Sequence, residues 1–202
     1  MSQVRRIYAE KRPGYDVAAQ QLCSELREVL GTQAIERVRI FQRYDVEGVS
    51  EAALESANGI IFSEPNVDLL YDETLPQMDA QLLAVEYLPG QYDQRADSAS
   101  QCLQLLSPNE DRPKVVCAKV YAVEGAQVTR PMMDAIAAHL INPVEARRAS
   151  MDKPETLAMH ADVPADVAVI EGFISMSDKA LADMVKTMGM AMSAEDLCFC
   201  RD

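Results

Sequence analysis

The feature that most constrains the fold of this chain is an internal repeat, in which several short patterns recur at one constant offset. The pair YD at positions 15–16 recurs at 92–93, and the run YDVEG at 44–48 recurs as YAVEG at 121–125. Apolar positions between these landmarks keep the same offset. A single match carries little weight, but a register shared by several matches indicates two copies of one structural unit.

Each copy begins with the pattern of a strand followed by a helix. A β-rich run ends at a Pro-Gly pair, at positions 13–14 in the first copy and 89–90 in the second, because proline and glycine interrupt regular structure. Asp16 and Asp93 follow these pairs and are predicted to cap helices that have one apolar face. Gly31 is the predicted end of the first of these helices.

The rest of each copy predicts a further β-rich run, a second helix and a short closing segment. The runs ERVRIFQRYDVEGV and PKVVCAKVYAVEG are long enough for one strand, or for a strand and a tight hairpin. Second helices are predicted to begin at Ser50 and Thr129. The closing segments follow Pro65 and Pro143, which align after one inserted residue.

These patterns predict a duplicated domain. We interpret each copy as a β-α-β-β-α-β unit, which places two helices on one face of an antiparallel sheet. The predicted fold class is therefore α+β, with two tandem ferredoxin-like units that form a pseudodimer. The copies span about residues 1–74 and 78–150 of a domain that covers residues 1–150.

Residues 151–202 lack the repeat and are predicted to form a linker region with two short helices. Ser177 and Gly189 are start and stop signals for the first helix, and Ser193 with Asp196 three residues later is a start signal for the second. Because no stop signal follows the second start, we expect the linker to be truncated at residue 202.

Composition and charge narrow the class of partner. The formal net charge of −13 repels the phosphates of nucleic acids and anionic lipids, so neither a nucleic acid nor a membrane is a predicted partner. No apolar run approaches the length of a membrane helix, and the N-terminus lacks the apolar core of a signal peptide. Five cysteines, an odd number mostly within apolar runs, favour reduced thiols and a cytoplasmic location.

A polar cluster at the start of the second copy's first helix is the candidate site for binding substrate or docking a domain. Its residues are Gln91, Asp93, Gln94, Arg95 and Asp97. A turn with a helix cap explains Asp93, since Asp16 occupies the matching position in the first copy. It does not explain Arg95 and Asp97, which stand where the first copy has alanine and glutamine. A guanidinium is suited to bind phosphate or carboxylate.

No metal site and no catalytic residue is predicted. His139 lies among apolar residues and is interpreted as a helix-end residue near terminal carbonyls, and His160 lies in an acidic segment without a cysteine pair. Cys198 and Cys200 would point about 200° apart on a helix, which favours structural cysteines over a shared metal.

Several segments, in this order, resemble the N-terminal region of large single-chain phosphoribosylformylglycinamidine synthases. They are RIYAEKRPGYD, RVRIFQRYDVEGVS, FSEPNVD, AVEYLPGQYDQRADSASQC, LINPVEARRASMDKPETL and KTMGMAMSAEDL. The resemblance covers essentially the whole chain, and YLPGQYDQRADSA is its most specific segment. In that family the N-terminal domain looks like a fused pair of small structural subunits followed by a helical linker.

The resemblance implies a part in purine biosynthesis. The family converts formylglycinamide ribonucleotide, ATP and glutamine into formylglycinamidine ribonucleotide, as a ligase and glutamine amidotransferase. ATP and Mg²⁺ would belong to the synthetase domain of the full-length enzyme, and this fragment would hold no cofactor and be non-catalytic. Its partners would be the synthetase and glutaminase domains of the same chain, and a homodimer of the fragment is left open. A stand-alone regulatory module that binds a small ligand between paired ferredoxin-like units is the alternative.

Overall fold

The structure is a computed structural model, and it describes residues 3–108, 111–158, 167 and 169–202. The chain divides into two compact units, Met1–Ala158 and Met159–Asp202. No helix in the described part is long and apolar enough to cross a membrane.

The first unit is built on one six-stranded antiparallel sheet. Its strands, in chain order, are β1 (Arg5–Lys11), β2 (Arg37–Glu47), β3 (Asp68–Asp72), β4 (Ala80–Tyr87), β5 (Lys114–Glu124) and β6 (Ala146–Arg148). In the sheet they lie in the order β3-β1-β2-β5-β4-β6. The helices of this unit are α1 (Val17–Leu30), α2 (Glu51–Ala57), α3 (Gln94–Leu106) and α4 (Arg130–Leu140), and α2 continues into a π-helical turn, Asn58–Phe62. An α+β architecture is thus confirmed.

The central strands of the two halves, β2 and β5, pair at positions that match each other in the sequence repeat. The central strands β2 and β5 begin at Arg37 and Lys114, which match in the sequence repeat, and the two strands pair with each other. In that pairing Gln42 lies opposite Lys119, and these two residues also match each other in the repeat. A pseudo-twofold axis therefore passes through the sheet between Gln42 and Lys119.

The offset of the repeat differs at the outer strands. Ile7 lies opposite Tyr44, and Leu83 lies opposite Tyr121, so Ile7 of β1 corresponds to Leu83 of β4. This offset is one residue shorter than the offset between Tyr44 and Tyr121. The extra residue in the second half, Gln91, follows the Pro-Gly turn. Because this residue lies in the loop, the pairing of β4 keeps its register. The same insertion within β4 would turn the apolar face of the strand away from the core.

The edge strands are joined in the same way in both halves. The Arg12 amide donates to the Val67 carbonyl at 2.8 Å, and the Leu88 amide donates to the Glu145 carbonyl at 2.9 Å. The offset between the two acceptors equals that between Pro65 and Pro143, so it includes the residue inserted before Pro143. The two halves thus pair their strands in corresponding registers, over five positions between β1 and β3 and over three between β4 and β6.

The predicted β-α-β-β-α-β order is wrong in one respect. Each half has the order β-α-β-α-β, because Arg37–Glu47 is one continuous strand instead of a strand and a hairpin. The side chains of β2 alternate between the two faces of the sheet. Tyr44 and Val46 pack under the helices, and Phe41 packs in the core on the opposite face. The backbone reaches a positive φ only after the strand, at Gly48 with φ 85°.

All four helices of the first unit cover one face of the sheet, and each packs against a helix of the other half. Leu22 and Leu26 of α1 share a core with Met133 and Ile136 of α4. A second core of the same kind joins α2 and α3 over Tyr44 and Cys117. The helix layer therefore ties the halves together as the β2–β5 pairing does in the sheet.

The opposite face of the sheet carries a buried charge cluster. Arg6 donates to both carboxylate oxygens of Asp45, at 2.5 and 2.9 Å, and Arg43 lies 3.4 Å from the same carboxylate. Arg6 also donates to the Met151 carbonyl at 2.6 Å, and Arg43 to the Ser150 carbonyl at 2.6 Å. These contacts hold residues 150–152 against the sheet, within the first unit.

Glu73 holds the next residue, Lys153, near the sheet. Its carboxylate accepts from Lys153 at 2.6 Å and from Arg5 of β1 at 2.9 Å. Burial acts to raise the pKa of the Glu73 carboxyl, but hydrogen bonds from Lys153, the Arg6 amide and Arg5 outweigh it. The pKa of Glu73 therefore lies below its ordinary value.

The described part of the second unit contains helices α5 (Asp178–Met188) and α6 (Ala194–Arg201), after a short 3₁₀ turn at Phe173–Ser175. The predicted boundaries are confirmed: Ser177 caps α5, Gly189 ends it with φ 61°, and Ser193 forms a capping box with Asp196. His160 lies outside the described residues.

Candidate functional site

The candidate site is a cleft on the helix-covered face, at the pseudo-twofold axis. It has a cavity volume of about 740 Å³. We call it the central cleft. Its polar lining from the sheet and from the start of α3 includes Gln42, Tyr44, Cys117, Lys119, Asp93, Gln94 and Arg95. Three residues of the predicted cluster thus reach this cleft.

Arg95 is anchored on the floor of the cleft. Its Nη1 donates to the Tyr44 hydroxyl at 3.0 Å, and the Tyr44 ring packs on Phe62 with centroids 5.0 Å apart. Burial acts to lower the pKa of Arg95, while the hydrogen bond to Tyr44 acts to raise it, and the pKa lies above its ordinary value. Arg95 therefore stays positively charged beside a buried phenol.

Tyr44 itself is nearly inaccessible, with 2% of its surface exposed. Burial raises the pKa of its hydroxyl, against the opposing effect of Arg95. The hydroxyl is therefore protonated at neutral pH and accepts the hydrogen bond from Arg95. This pair joins a side chain of the first half to one of the second.

Asp93 is a helix cap, as predicted. Its Oδ1 accepts from the backbone amides of Arg95 and Ala96, each at 3.0 Å. Asp16 occupies the predicted N-cap position of α1, but its side chain does not cap the helix, because its Oδ1 accepts from the Gly14 amide at 3.0 Å and the Gln20 side chain at 2.8 Å instead. The two copies therefore begin their first helices with different hydrogen bonds.

Two residues of the predicted cluster lie away from the central cleft. Asp97 accepts from the Tyr92 hydroxyl at 2.9 Å and from Arg112 Nη2 at 2.5 Å. These hydrogen bonds, from Tyr92 first and then Arg112, lower the pKa of the Asp97 carboxyl. Gln91 donates weakly to the Val144 carbonyl at 3.4 Å. Asp97 and Gln91 thus serve local contacts on the protein surface.

Sequence reasoning missed Lys119, which lies at the centre of the sheet and faces the cleft. The side chain is exposed and forms no ion pair with the part of the chain that the structure describes. The signal was present in the sequence, since Lys119 interrupts the apolar run VVCAKVYAV. Its significance depended on the pairing of β2 with β5, which only the tertiary structure shows.

A smaller cleft of about 230 Å³ lies across the Arg95–Tyr44 pair. It is the counterpart of the central cleft in the first half, because Ala9, Asp16 and Ala18 line it where Val85, Asp93 and Arg95 line the larger one. The Arg95 position thus carries a methyl group on one side of the axis and a guanidinium on the other.

The chemical groups around the central cleft are suited to binding. Burial raises the pKa of the Cys117 thiol well above its ordinary value, so the thiol is protonated and a poor nucleophile. His139 lies in the last turn of α4, as predicted, and its Nε2 lies 2.7 Å from the Glu25 carboxylate on α1. Among the described residues, no three potential metal ligands are gathered together.

Comparison with known proteins gives no further assignment. No model of a protein family matches the chain, and no curated protein matches it.

Proposed function

We propose that this chain is the N-terminal scaffold and linker region of a phosphoribosylformylglycinamidine synthase. The supporting observation is the joining of two equivalent halves into one sheet through β2 and β5. Such a sheet is what a fused pair of like subunits would form. The segment with the most specific resemblance, YLPGQYDQRADSA, leads into α3 and contributes Arg95 to the central cleft.

The proposal includes the descent of each half from one ferredoxin-like unit. Each half places two helices on one face of three antiparallel strands, with the first strand between the other two. In the sheet, β5 adds a fourth strand next to β2 of the first half, and β2 does the same next to β5 of the second half. Duplication of such a unit accounts for the shared hydrogen bonds at the two edges.

In this function the chain would hold the synthetase and glutaminase domains in place and contribute to ammonia transfer between them, without reacting itself. A non-catalytic part is what the resemblance implies for these residues; burial raises the pKa of the Cys117 thiol, which makes that thiol a poor nucleophile. ATP, Mg²⁺ and the nucleophilic thiol would be supplied by the other domains of the enzyme.

Activity measurements on the purified chain test the proposal. We expect neither ATP hydrolysis nor release of ammonia from glutamine above the rate of buffer. A synthase that lacks these 202 residues should lose formylglycinamidine ribonucleotide synthesis and regain part of it when the chain is added. Turnover of ATP or glutamine by the pure chain, or full activity of the shortened synthase, would contradict the proposal.

A regulatory module that binds a small ligand is the second candidate. The observation in its favour is the central cleft, which holds two cationic side chains within a volume typical of small-molecule sites. A stop codon directly after residue 202 of the gene, together with function of the chain without other domains, would favour this candidate over the scaffold.

A further inference from the structure

The central cleft contains positive charge that the fold does not require. The pseudo-twofold axis relates Lys119 to Gln42 and Arg95 to Ala18. The first half forms the same strand and the same helix with the neutral residues at these positions. Both cations therefore come from the second half alone.

The two cations retain free hydrogen-bond donors. Arg95 uses Nη1 for the Tyr44 hydroxyl, and its guanidinium has further N–H groups in one plane. Lys119 has an ammonium group with no carboxylate partner among the described residues. The floor below them is formed by buried side chains, Tyr44 and Cys117, which lower the local dielectric constant and strengthen an interaction with an anion.

One acidic group acts on the cations of the cleft: Asp93 caps α3 with its Oδ1, and its charge also raises the pKa of Arg95. The other acidic groups are engaged or distant, since Glu86 accepts from Arg147 at 2.8 Å. Glu145 lies beside β6, which is separated from β5 by β4. Two strand spacings put Glu145 roughly 10 Å from the line of Lys119, about one Debye length at 0.1 M salt.

The apolar walls of the cleft indicate what the rest of the ligand is like. The apolar residues that line it are Ile60, Ile61, Val85, Tyr121 and Leu140. A bare ion would leave this surface uncovered. A ligand with an apolar or planar body and one anionic end would use both parts of the cleft.

We propose that the central cleft binds a small phosphorylated metabolite, with its phosphate between Arg95 and Lys119. A phosphate offers three oxygens, enough for a guanidinium fork and an ammonium together. The inference goes beyond the scaffold proposal and holds whether the chain acts within a synthase or alone.

The experiment titrates the purified chain with phenyl phosphate, followed by chemical shifts of backbone amides and by calorimetry. Inorganic phosphate tests the contribution of the phosphate without the aromatic ring. Benzoate tests the ring with a carboxylate in place of the phosphate. We expect shifts concentrated at the start of α3 and the middle of β5, with phenyl phosphate bound more tightly than either comparison compound. Added salt should weaken the binding.

Matched variants identify the residues responsible. Arg95→Gln and Lys119→Gln should each weaken binding of phenyl phosphate by about tenfold or more, as expected for hydrogen bonds to a charged group. Arg95→Lys should retain part of the affinity. Lys114→Gln, at the end of the same strand and outside the cleft, is the control and should bind like the original chain. Lys119 is exposed, so Lys119→Gln should leave the unfolding midpoint nearly unchanged. Arg95→Gln removes the donor to the buried Tyr44 hydroxyl, so its midpoint should decrease modestly, and a single cooperative transition confirms that it folds.

Three results would overturn the inference. The first is the absence of shifts around the cleft at millimolar phenyl phosphate. The second is an equal loss of affinity in Lys114→Gln and Lys119→Gln, which would indicate attraction to the whole surface. The third is tighter binding of benzoate than of phenyl phosphate, which would assign the cleft to carboxylates.

Discussion

Replacing Asp45 by asparagine should destabilise the first unit severely. Asp45 is 2% exposed and is held between two buried guanidinium groups, Arg6 and Arg43. Burial lowers the pKa of Arg43; the charge of Asp45 counteracts this effect, while that of Arg6 adds to it. Asp45→Asn keeps the shape of the side chain and removes the charge, so Arg6 loses its ion-pair partner among the described residues and Arg43 keeps only Glu86, at 3.9 Å.

The magnitude follows from the contacts. Asp45 accepts two charge-assisted hydrogen bonds from Arg6, at 2.5 and 2.9 Å. Removing one partner of a buried ion pair costs about 3–5 kcal/mol, which is also the size expected from two hydrogen bonds to charged groups. For a protein of this size each kcal/mol lowers the melting temperature by about 2–4 °C, so the expected decrease is about 6–20 °C.

Urea unfolding at 25 °C and thermal melting, both followed by circular dichroism, provide the measurement. The control is Asp134→Asn, which removes the charge from an exposed pair with Arg148 at 2.6 Å. That pair should contribute less than about 1 kcal/mol. If Asp45→Asn changes the free energy of unfolding no more than the control does, the buried ion pairs of Asp45 are not what stabilises the first unit.

Three further predictions concern the core, a helix cap and the pH dependence of stability. Leu103→Ala should lower the free energy of unfolding by about 2–5 kcal/mol because Leu103 is fully buried. Leu105, a side chain that is 79% exposed, provides the control: in the same urea titration, Leu105→Ala should change the free energy of unfolding by less than about 0.5 kcal/mol. Asp93→Ala should cost about 1 kcal/mol through loss of the cap on α3, and an equal cost for Asp16→Ala would contradict the different hydrogen bonds of the two residues. Glu73→Gln should destabilise the chain at pH 7. Because the pKa of Glu73 is lowered on folding, its contribution is present above the unfolded pKa and is lost as the pH falls through the folded value. The difference between the urea midpoints of variant and original chain should therefore shrink as the pH falls below the ordinary glutamate pKa and vanish below the folded one.

The sequence by itself determined the local features of this protein. The sequence predicts helix starts at Asp93, Ser50 and Ser177, and their side chains accept hydrogen bonds from amides two or three residues later. The sequence predicts a Pro-Gly turn in both copies, and Gly14 and Gly90 have φ of 90° and 89°, values that glycine adopts without strain. Such features depend on neighbours along the chain, so the sequence contains all the interacting groups.

Only the tertiary structure decided which of these features come together. Lys119 was an unexplained charge within a strand until the pairing of β2 and β5 placed it opposite Gln42, in one cleft with Arg95. The predicted cluster divided because residues two positions apart on a helix, such as Arg95 and Asp97, point in different directions. Pairing between distant strands depends on hydrogen bonds and buried surface shared by many residues at once, and no short segment of the sequence specifies it.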